Sequence, residues 1–144
     1  MYDKSKELYS TIKLVNDKLH FMGFVDNNEP VSIDYISPIG DDLGYTSLEL
    51  FLLSFSSCIG SAILTFLRKM QKTITNFEIQ AKGLRNEEHP TGFKTIQLNI
   101  CLKSQNVSKE DVQKVLALAE DKYCPVWSMI KGNTSVETTI TINK

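Results

Sequence analysis

Apolar and polar side chains alternate along three short segments near the start of the chain. The segments are Tyr9 to Asn16, Leu19 to Val25 and Pro30 to Ser37. A period of two is typical of strands that turn one face towards a core and the other towards solvent. The residues Asn-Asp-Lys at 16–18 favour a tight turn between the first two segments. The pattern therefore predicts three strands, of which the first two form a hairpin.

A long apolar segment follows a loop rich in Gly and Asp. No charged residue occurs between Leu50 and Leu67, and a helix through this segment carries apolar side chains on every face, which predicts burial on all sides. Thr46 and Glu49 have the spacing of a capping box, which predicts where the helix begins. The basic residues that follow suit a helix C-terminus, so we expect the helix to end near Lys72.

The same apolar segment is long enough to cross a bilayer, which makes it the chain's one candidate for a membrane span. Five hydroxyl residues and Gly60 lower its hydropathy, and strand-like segments lie on both sides of it. We therefore expect a core helix of a globular protein and no membrane partner.

Three more segments in the second half of the chain have the pattern of strands. Ile74 to Arg85 and Phe93 to Ser104 predict a pair joined by a polar loop, and Ser135 to Asn143 predicts a closing strand. With the helices, the predicted order is β-β-β-α-β-β-α-β. Runs of strands separated by helices indicate the α+β class, and we expect residues 1–144 to form a single domain.

A second helix is predicted before the closing strand. Ser108 and Asp111 have the spacing of another capping box, and apolar residues from Val112 to Ala119 recur at helical spacing. Pro125 breaks this helix and is expected in the first turn of a short new one, with Cys124 near its N-cap.

Composition and charge exclude several classes of function. The 144 residues are 42% hydrophobic and 23% charged, as in ordinary globular domains. With 16 basic and 17 acidic residues the net charge is −1, which argues against nucleic acid or an anionic membrane as the main partner. The charged residues at 1–7 contain no apolar signal-like stretch, so we expect a cytoplasmic protein.

The candidate chemistry lies in three cysteines, an odd number that argues against a disulfide scaffold. Cys58 lies in the middle of the long helix, too far from its N-terminus for the helix dipole to act. Its thiol therefore needs a nearby cation or hydrogen-bond donor in order to react. Ser54, Ser57 and Ser61 lie at helical spacing from it and could supply hydroxyl groups. The alternative is an inert cysteine packed in a core helix.

Cys124 has a different local environment. A cysteine at the start of a helix faces unpaired backbone N–H groups, which favour the thiolate, and Tyr123 and Trp127 are available to shield it. The alternative is a cysteine tolerated in a tight turn before Pro125. Cys101 lies in a strand with no helix terminus or second thiol implied nearby, so we expect it to be a packing residue.

The remaining candidates are one carboxylate and two histidines. Glu49 is the one charged residue in the apolar part of the long helix; it can serve the capping box, act as a functional carboxylate, or both. His20 and His89 are isolated, and no spacing of Cys and His resembles a zinc site. The chain has no glycine-rich phosphate loop and no dinucleotide motif. We therefore predict neither a metal nor a cofactor.

Two segments of the chain resemble motifs of the OsmC/Ohr family, the osmotically inducible and organic hydroperoxide resistance proteins. Residues 44–58 (GYTSLELFLLSFSSC) resemble the family's first-cysteine helix, and residues 119–126 (AEDKYCPV) resemble its second-cysteine motif. The resemblance is greatest to a less characterised OsmC-like branch. It implies an intertwined homodimer in which sheets from both subunits bury two long central helices.

The resemblance also implies a thiol peroxidase. Cys58 would attack an organic hydroperoxide and become a sulfenic acid, and Cys124 would condense with it to a disulfide. A dithiol reductant would then reset the pair. Glu49 resembles a glutamate that, in peroxidase members, pairs with an arginine of the N-terminal strands. It lies nine positions before Cys58, whereas one subgroup carries its glutamate ten before, a difference of about 100° around the helix.

The chain differs from the peroxidase members at that arginine. It has no arginine before Arg68, which leaves Lys13 or Lys18 to supply a cation. Two other functions therefore stay open: a non-enzymatic dimer that binds a small hydrophobic ligand, and a thiol-based redox sensor. A cation beside Cys58 separates the peroxidase from both, because the thiolate is the reactive form of cysteine.

Overall fold

The computed structural model describes residues 3–144 of the chain. The chain forms two compact units, one up to Leu50 and one from Phe51 onwards. Each unit contains one three-stranded sheet, and the helices follow the first sheet. The predicted α+β class is confirmed.

The N-terminal unit is an antiparallel meander of three short strands. They lie in the order β1 (Thr11–Leu14), β2 (Phe21–Phe24) and β3 (Val31–Ile33). The predicted hairpin is confirmed, and Asn16 explains its turn. Its side-chain oxygen accepts the backbone N–H groups of Lys18 and His20, both at 3.0 Å, as Asn does in Asx turns. Each strand is shorter than its predicted segment because the ladder ends before the alternating pattern does.

A buried carboxylate organises the loop after β3. Asp34 is 3% exposed, and its oxygens accept backbone N–H groups from both ends of the loop, at Tyr35, Asp41 and Leu43. Burial alone would raise the pKa of Asp34, but the three donors outweigh it and hold the pKa below its usual range. The ionised carboxylate therefore fixes the path of the chain towards the long helix.

The chain then passes so close to β3 that position 44 has no room for a side chain. Tyr45 donates its N–H to the Ser32 carbonyl and accepts the N–H of Asp34, both at 3.0 Å. A Cβ atom at Gly44 would lie 2.2 Å from the Ser32 carbonyl oxygen, which belongs to backbone held in the sheet. Glycine is therefore required here.

The C-terminal unit contains most of the regular structure. Including the long helix that enters it, the elements are α1 (Ser47–Lys69), β4 (Asn76–Arg85), β5 (Phe93–Lys103), α2 (Lys109–Leu118), α3 (Pro125–Ile130) and β6 (Ser135–Asn143). A π-helical turn, Ala119–Tyr123, follows α2 directly. In the sheet, β5 is central, with β4 antiparallel and β6 parallel to it. The predicted order and the capping box at Ser108 are confirmed, whereas the π turn was not predicted.

The core of this unit lies between the sheet and the helices. Its largest contributions come from one face of β5 and one stripe of α1. These buried residues are Ile96, Leu98, Ile100 and Leu102 from β5, and Phe55, Ile59, Ile63 and Leu67 from α1. Gly60 brings α1 close to β4, because a Cβ there would lie 3.2 Å from the Phe77 ring. Each element therefore buries a single face, as its period requires.

The prediction that α1 is buried on all sides is wrong for the single chain. Within residues 47–69 the buried side chains form one stripe, and Leu53 on another face is 56% exposed. Among residues 3–144, α1 is the one helix long and apolar enough to cross a membrane, and 33% of its apolar window is buried within the chain. It ends at Lys69 instead of Lys72 because Gln71 adopts a left-handed φ of 62°, which terminates helices.

Replacing Gly44 by alanine should destabilise the protein, because the new Cβ collides with backbone that is held in the β2–β3 ladder. We expect the free energy of unfolding to fall by about 1–3 kcal/mol, measured by urea denaturation followed by circular dichroism. Gly92→Ala is the matched control: the space around Gly92 is open, and its effect should stay within about 0.5 kcal/mol. Equal effects of the two variants would contradict the close approach at residue 44.

Candidate active site

The structure brings together the two cysteines that the sequence singled out. The Sγ atoms of Cys58 and Cys124 lie 2.9 Å apart, with the Cys124 thiol donating to the Cys58 sulfur. Both thiols are free. Cys58 is half-buried, and Cys124 is 2% exposed. The contact therefore joins the middle of α1 to the segment before α3, within the C-terminal unit.

Cys58 takes its position from α1. It packs against the core cluster that also contains Phe55 and Cys124, beside the buried stripe of the helix. Ser57 is one of the serines that could supply a hydroxyl group to Cys58. Its Oγ instead donates to the Ser54 carbonyl of its own helix at 3.0 Å. The hydrogen-bond donor that the structure gives to Cys58 is the Cys124 thiol.

Cys124 takes its position from the π turn and from the start of α3. Its backbone N–H bonds to the Ala119 carbonyl at 2.9 Å, which closes the wide turn. Its φ and ψ of −106° and 100° are extended, as the residue before Pro125 prefers. Its Sγ accepts the N–H of Trp127 at 3.4 Å. The predicted place of Cys124 at the N-cap of a short helix is confirmed.

The electrostatics of Cys124 differ from the expectation. Burial raises the pKa of the Cys124 thiol to about 11, with a further rise from its hydrogen bond to Cys58, and the N–H of Trp127 offsets only part of this. The N–H groups at the helix start do favour the Cys124 thiolate, but desolvation outweighs them. At neutral pH Cys124 is a protonated donor, and Cys58 is the sulfur that receives its hydrogen bond.

Two aromatic residues flank Cys124 in the sequence, and each of them packs on a phenylalanine of α1. Trp127, three residues after Cys124, packs edge-on against Phe55 at 5.7 Å between ring centroids. Tyr123, the residue before Cys124, packs on Phe66 at 4.8 Å. Both contacts join α1 to the segment that carries Cys124. The site is therefore a pair of thiols in a largely apolar setting.

Glu49, the third candidate, lies at the start of α1. Its carboxylate accepts the Thr46 N–H at 2.9 Å, and its own N–H bonds to the Thr46 hydroxyl at 3.2 Å, so the predicted capping box is confirmed. The Thr46 N–H, with its hydroxyl group, holds the pKa of Glu49 below its usual range. Glu49 is exposed, and a catalytic role for it stays a prediction.

The two lysines of the N-terminal unit have partners within that unit. Lys18 forms an ion pair with Asp41 at 2.9 Å, and the Nζ of Lys13 lies 5.6 Å from the centroid of the Phe24 ring. Neither contact resembles the planar, bidentate hydrogen bonding of an arginine to a carboxylate. The role of either lysine towards Cys58 stays a prediction.

The third cysteine lies on the other face of the sheet. Along β5, Ile100 and Leu102 point into the core, so Cys101 between them points away from it, half-buried. Its thiol lies 3.7 Å from the Asn99 side-chain oxygen. Among residues 3–144, no group of three or more His, Cys, Asp or Glu side chains is arranged to hold a metal ion.

Sequence reasoning did not find the π turn or the aromatic contacts. A π turn has no pattern of its own in a single sequence, because its residues continue the helical spacing of α2. Tyr123 and Trp127 were recognisable as large side chains beside Cys124, but their partners on α1 are more than 50 residues away in the chain. The signal that was present is Pro125, which stops the helix and holds Cys124 extended.

Removing the Cys58 sulfur should lower the pKa of Cys124, because the hydrogen bond and the charge of Cys58 both raise it. The measurement is the pH dependence of Cys124 alkylation by iodoacetamide, followed by mass spectrometry of the peptide. Wild-type protein should titrate near 11, and Cys58→Ala at a lower pH. Cys101→Ala, which removes the thiol on the other face, should match wild type. An unchanged Cys124 profile in Cys58→Ala would contradict the contact.

The fold occurs in several proteins of known structure. A hypothetical protein from Aquifex aeolicus VF5 superposes with a TM-score of 0.82 at 22% identity, covering 94% of this chain and 96% of that one. An organic hydroperoxide resistance protein OsmC from Legionella pneumophila superposes with a TM-score of 0.69 at 14% identity, covering 94% and 96%. At these identities the likeness concerns the fold.

Sequence comparisons agree with the structural ones. Protein YhfA of Escherichia coli strain K12 is 23% identical over 95 residues, which are 66% of this chain and 71% of YhfA. The family model described as OsmC-like protein matches residues 40–139, which include α1 and both thiols of the pair. The chain therefore belongs to the OsmC-like protein family.

Proposed function

We propose that the protein reduces organic hydroperoxides through Cys58 and Cys124, as part of defence against oxidative stress. The observation that carries the proposal is the 2.9 Å contact between the two thiols, which lie on the two motifs that resemble the family's redox cysteines. The relative from Legionella is itself an organic hydroperoxide resistance protein. A pair of thiols in contact suits a cycle that ends in a disulfide.

The first step is attack on the peroxide. The Cys58 thiolate attacks the terminal oxygen of the hydroperoxide, so an S–O bond forms and the O–O bond breaks. Cys58 becomes a sulfenic acid, and the alkoxide leaves and takes up a proton to become the alcohol. The hydrogen bond from Cys124 supports this assignment, because it places a thiol donor against the Cys58 sulfur.

The second step is condensation. The Cys124 sulfur attacks the sulfenic sulfur of Cys58, an S–S bond forms, and the S–O bond breaks. Because burial raises the pKa of Cys124, its thiol still carries a proton, and that proton leaves with the hydroxyl group as water. The resolving thiol thus supplies the acid that its own reaction needs.

The third step restores the two thiols. A dithiol reductant attacks the disulfide through a mixed disulfide and is itself oxidised to a disulfide, so two electrons and two protons return to the cysteines. Such a reductant is present in a reducing compartment, in keeping with a protein of the cytoplasm.

The substrate class follows from the surroundings of the thiols. Cys58 is half-buried and packs against the apolar core cluster, as do the partly exposed side chains of Ala62 and Phe66 on the same helix. An apolar wall gains energy by covering an alkyl or aryl group and gains none from hydrogen peroxide. An organic hydroperoxide is therefore the better substrate.

A second copy of the chain is the proposed partner. Among residues 3–50 the residues that are buried are confined to Asp34 and Gly40, and several large apolar side chains are exposed, Ile12 by 60%. A three-stranded sheet with so little burial is marginal by itself. Only 33% of the apolar window of α1 is buried within the chain, and Leu53 is exposed, which points to the same conclusion. A homodimer would cover both surfaces.

The activity is tested with cumene hydroperoxide and a dithiol reductant. We expect turnover by wild type, none by Cys58→Ser, and a single oxidation by Cys124→Ser that stops at a sulfenic acid, which dimedone traps. Cys101→Ser is the matched control and should keep the wild-type rate, because its thiol lies on the opposite face of the sheet.

The same assay separates the alternatives. A wild-type rate no faster than that of free cysteine would reject the peroxidase and favour a dimer that binds a hydrophobic ligand. Turnover that survives Cys58→Ser would reject Cys58 as the attacking thiol.

The homodimer is tested by sedimentation equilibrium at micromolar concentration. We expect a mass twice the 16.3 kDa of the chain. Leu53→Glu should shift the equilibrium towards monomer, because it places a charge at an exposed apolar position of α1. Gln113→Glu adds the same charge on an exposed position of α2 and should leave the dimer intact. A stable wild-type monomer would contradict the proposal.

A further inference from the structure

The segment that carries Cys124 is held differently on its two sides. After Cys124, Trp127 is 6% exposed and packs against Phe55 in the core. Before Cys124 lies the π turn, whose last residue, Tyr123, is 48% exposed. Its ring nevertheless packs on Phe66 of α1, with 4.8 Å between centroids. An exposed aromatic ring thus makes a specific contact directly beside the resolving thiol.

Each ring of the Tyr123–Phe66 contact also has a lysine near its face. The Nζ of Lys69 lies 5.5 Å from the centroid of Phe66, and the Nζ of Lys122 lies 5.8 Å from that of Tyr123. A cation over a ring face attracts the ring and restricts its orientation. Besides the backbone bond from Cys124 to Ala119, the side chains of Glu120 and Asp121 in the turn form ion pairs with Lys131 at 3.9 and 3.7 Å. These are long and exposed, so they hold the turn weakly.

We propose that Tyr123 is a positioning residue for the disulfide-forming step, holding Cys124 against Cys58 through its contact with Phe66. This inference rests on the proposed function. In that step the Cys124 sulfur bonds to the sulfenic sulfur of Cys58, the S–O bond breaks, and water leaves with the Cys124 proton. Its rate depends on how often the two sulfurs are in reach. The side-chain ion pairs of the π turn hold it weakly, so the ring contact adds to the restraint that keeps the two sulfurs in reach.

The contact between Tyr123 and Phe66 has a second consequence, because the sulfenic acid of Cys58 is itself reactive. A sulfenic acid that waits too long for its partner reacts with another peroxide and becomes a sulfinic acid, which a dithiol does not reduce. Fast resolution therefore protects the enzyme. As a positioning residue Tyr123 acts through Cys124 alone, so its loss should leave the formation of the sulfenic acid unchanged.

The test separates the two steps in single-turnover experiments with cumene hydroperoxide. In Tyr123→Leu, disulfide formation should slow roughly two- to tenfold, the range expected from losing one aromatic contact, and the sulfinic acid fraction should rise. Formation of the sulfenic acid should keep its rate. Tyr123→Phe keeps the ring and should restore the wild-type rate, and Phe66→Leu should behave like Tyr123→Leu.

Two further variants complete the design. Lys131→Met removes the exposed ion pairs of the same turn and should leave both steps unchanged. The double variant Tyr123→Leu, Phe66→Leu should slow resolution no more than either single one, because both break the same contact. Wild-type resolution in Tyr123→Leu, or equal slowing of both steps, would overturn the positioning role.

An equilibrium measurement distinguishes failure of this inference from failure of the proposed function. The Cys58–Cys124 disulfide can be equilibrated against a dithiol buffer without any peroxide. If Tyr123 holds the thiols together, Tyr123→Leu should lower the equilibrium constant for disulfide formation roughly two- to tenfold. This result would stand even if the wild type showed no peroxidase activity, and an unchanged constant would reject the positioning role whether or not the activity holds.

Discussion

The site depends on one contact, the 2.9 Å approach of the Cys58 and Cys124 thiols. A contact this short requires that α1 and the segment before α3 have a fixed relation, since a slip of one residue in a helix turns its side chain by about 100°. The buried stripe of α1 fixes one partner against β5. The π turn, Pro125 and the aromatic contacts fix the other.

The two thiols differ in burial, and this difference underlies the separate roles that we propose for them. Cys124 is the more deeply buried, so its pKa rises to about 11 and it stays protonated where Cys58 accepts its hydrogen bond. In the proposed mechanism, the desolvation that makes Cys124 a poor nucleophile at the outset would also make it a proton donor for the water that leaves in the second step. One physical cause would then account for both proposed roles, attack by Cys58 and resolution by Cys124.

The elements that depend on local sequence could be predicted and those that depend on distant contacts could not. The two capping boxes and the bounds of β6 at Ser135 and Asn143 are confirmed because spacing and alternation specify them. The even apolar pattern of α1 does not reveal which face is buried, since that depends on β5. The pKa of Cys124 also could not be predicted from the sequence, because burial raises this pKa while the nearby N–H donors lower it.

The central claim is that Cys58 and Cys124 form one redox pair. Its most direct test is peptide mapping by mass spectrometry after treatment of the reduced wild-type protein with one equivalent of cumene hydroperoxide. The account predicts a single disulfide, between Cys58 and Cys124 of the same chain, with Cys101 still a free thiol. A disulfide that includes Cys101, or three unreacted thiols, would contradict it.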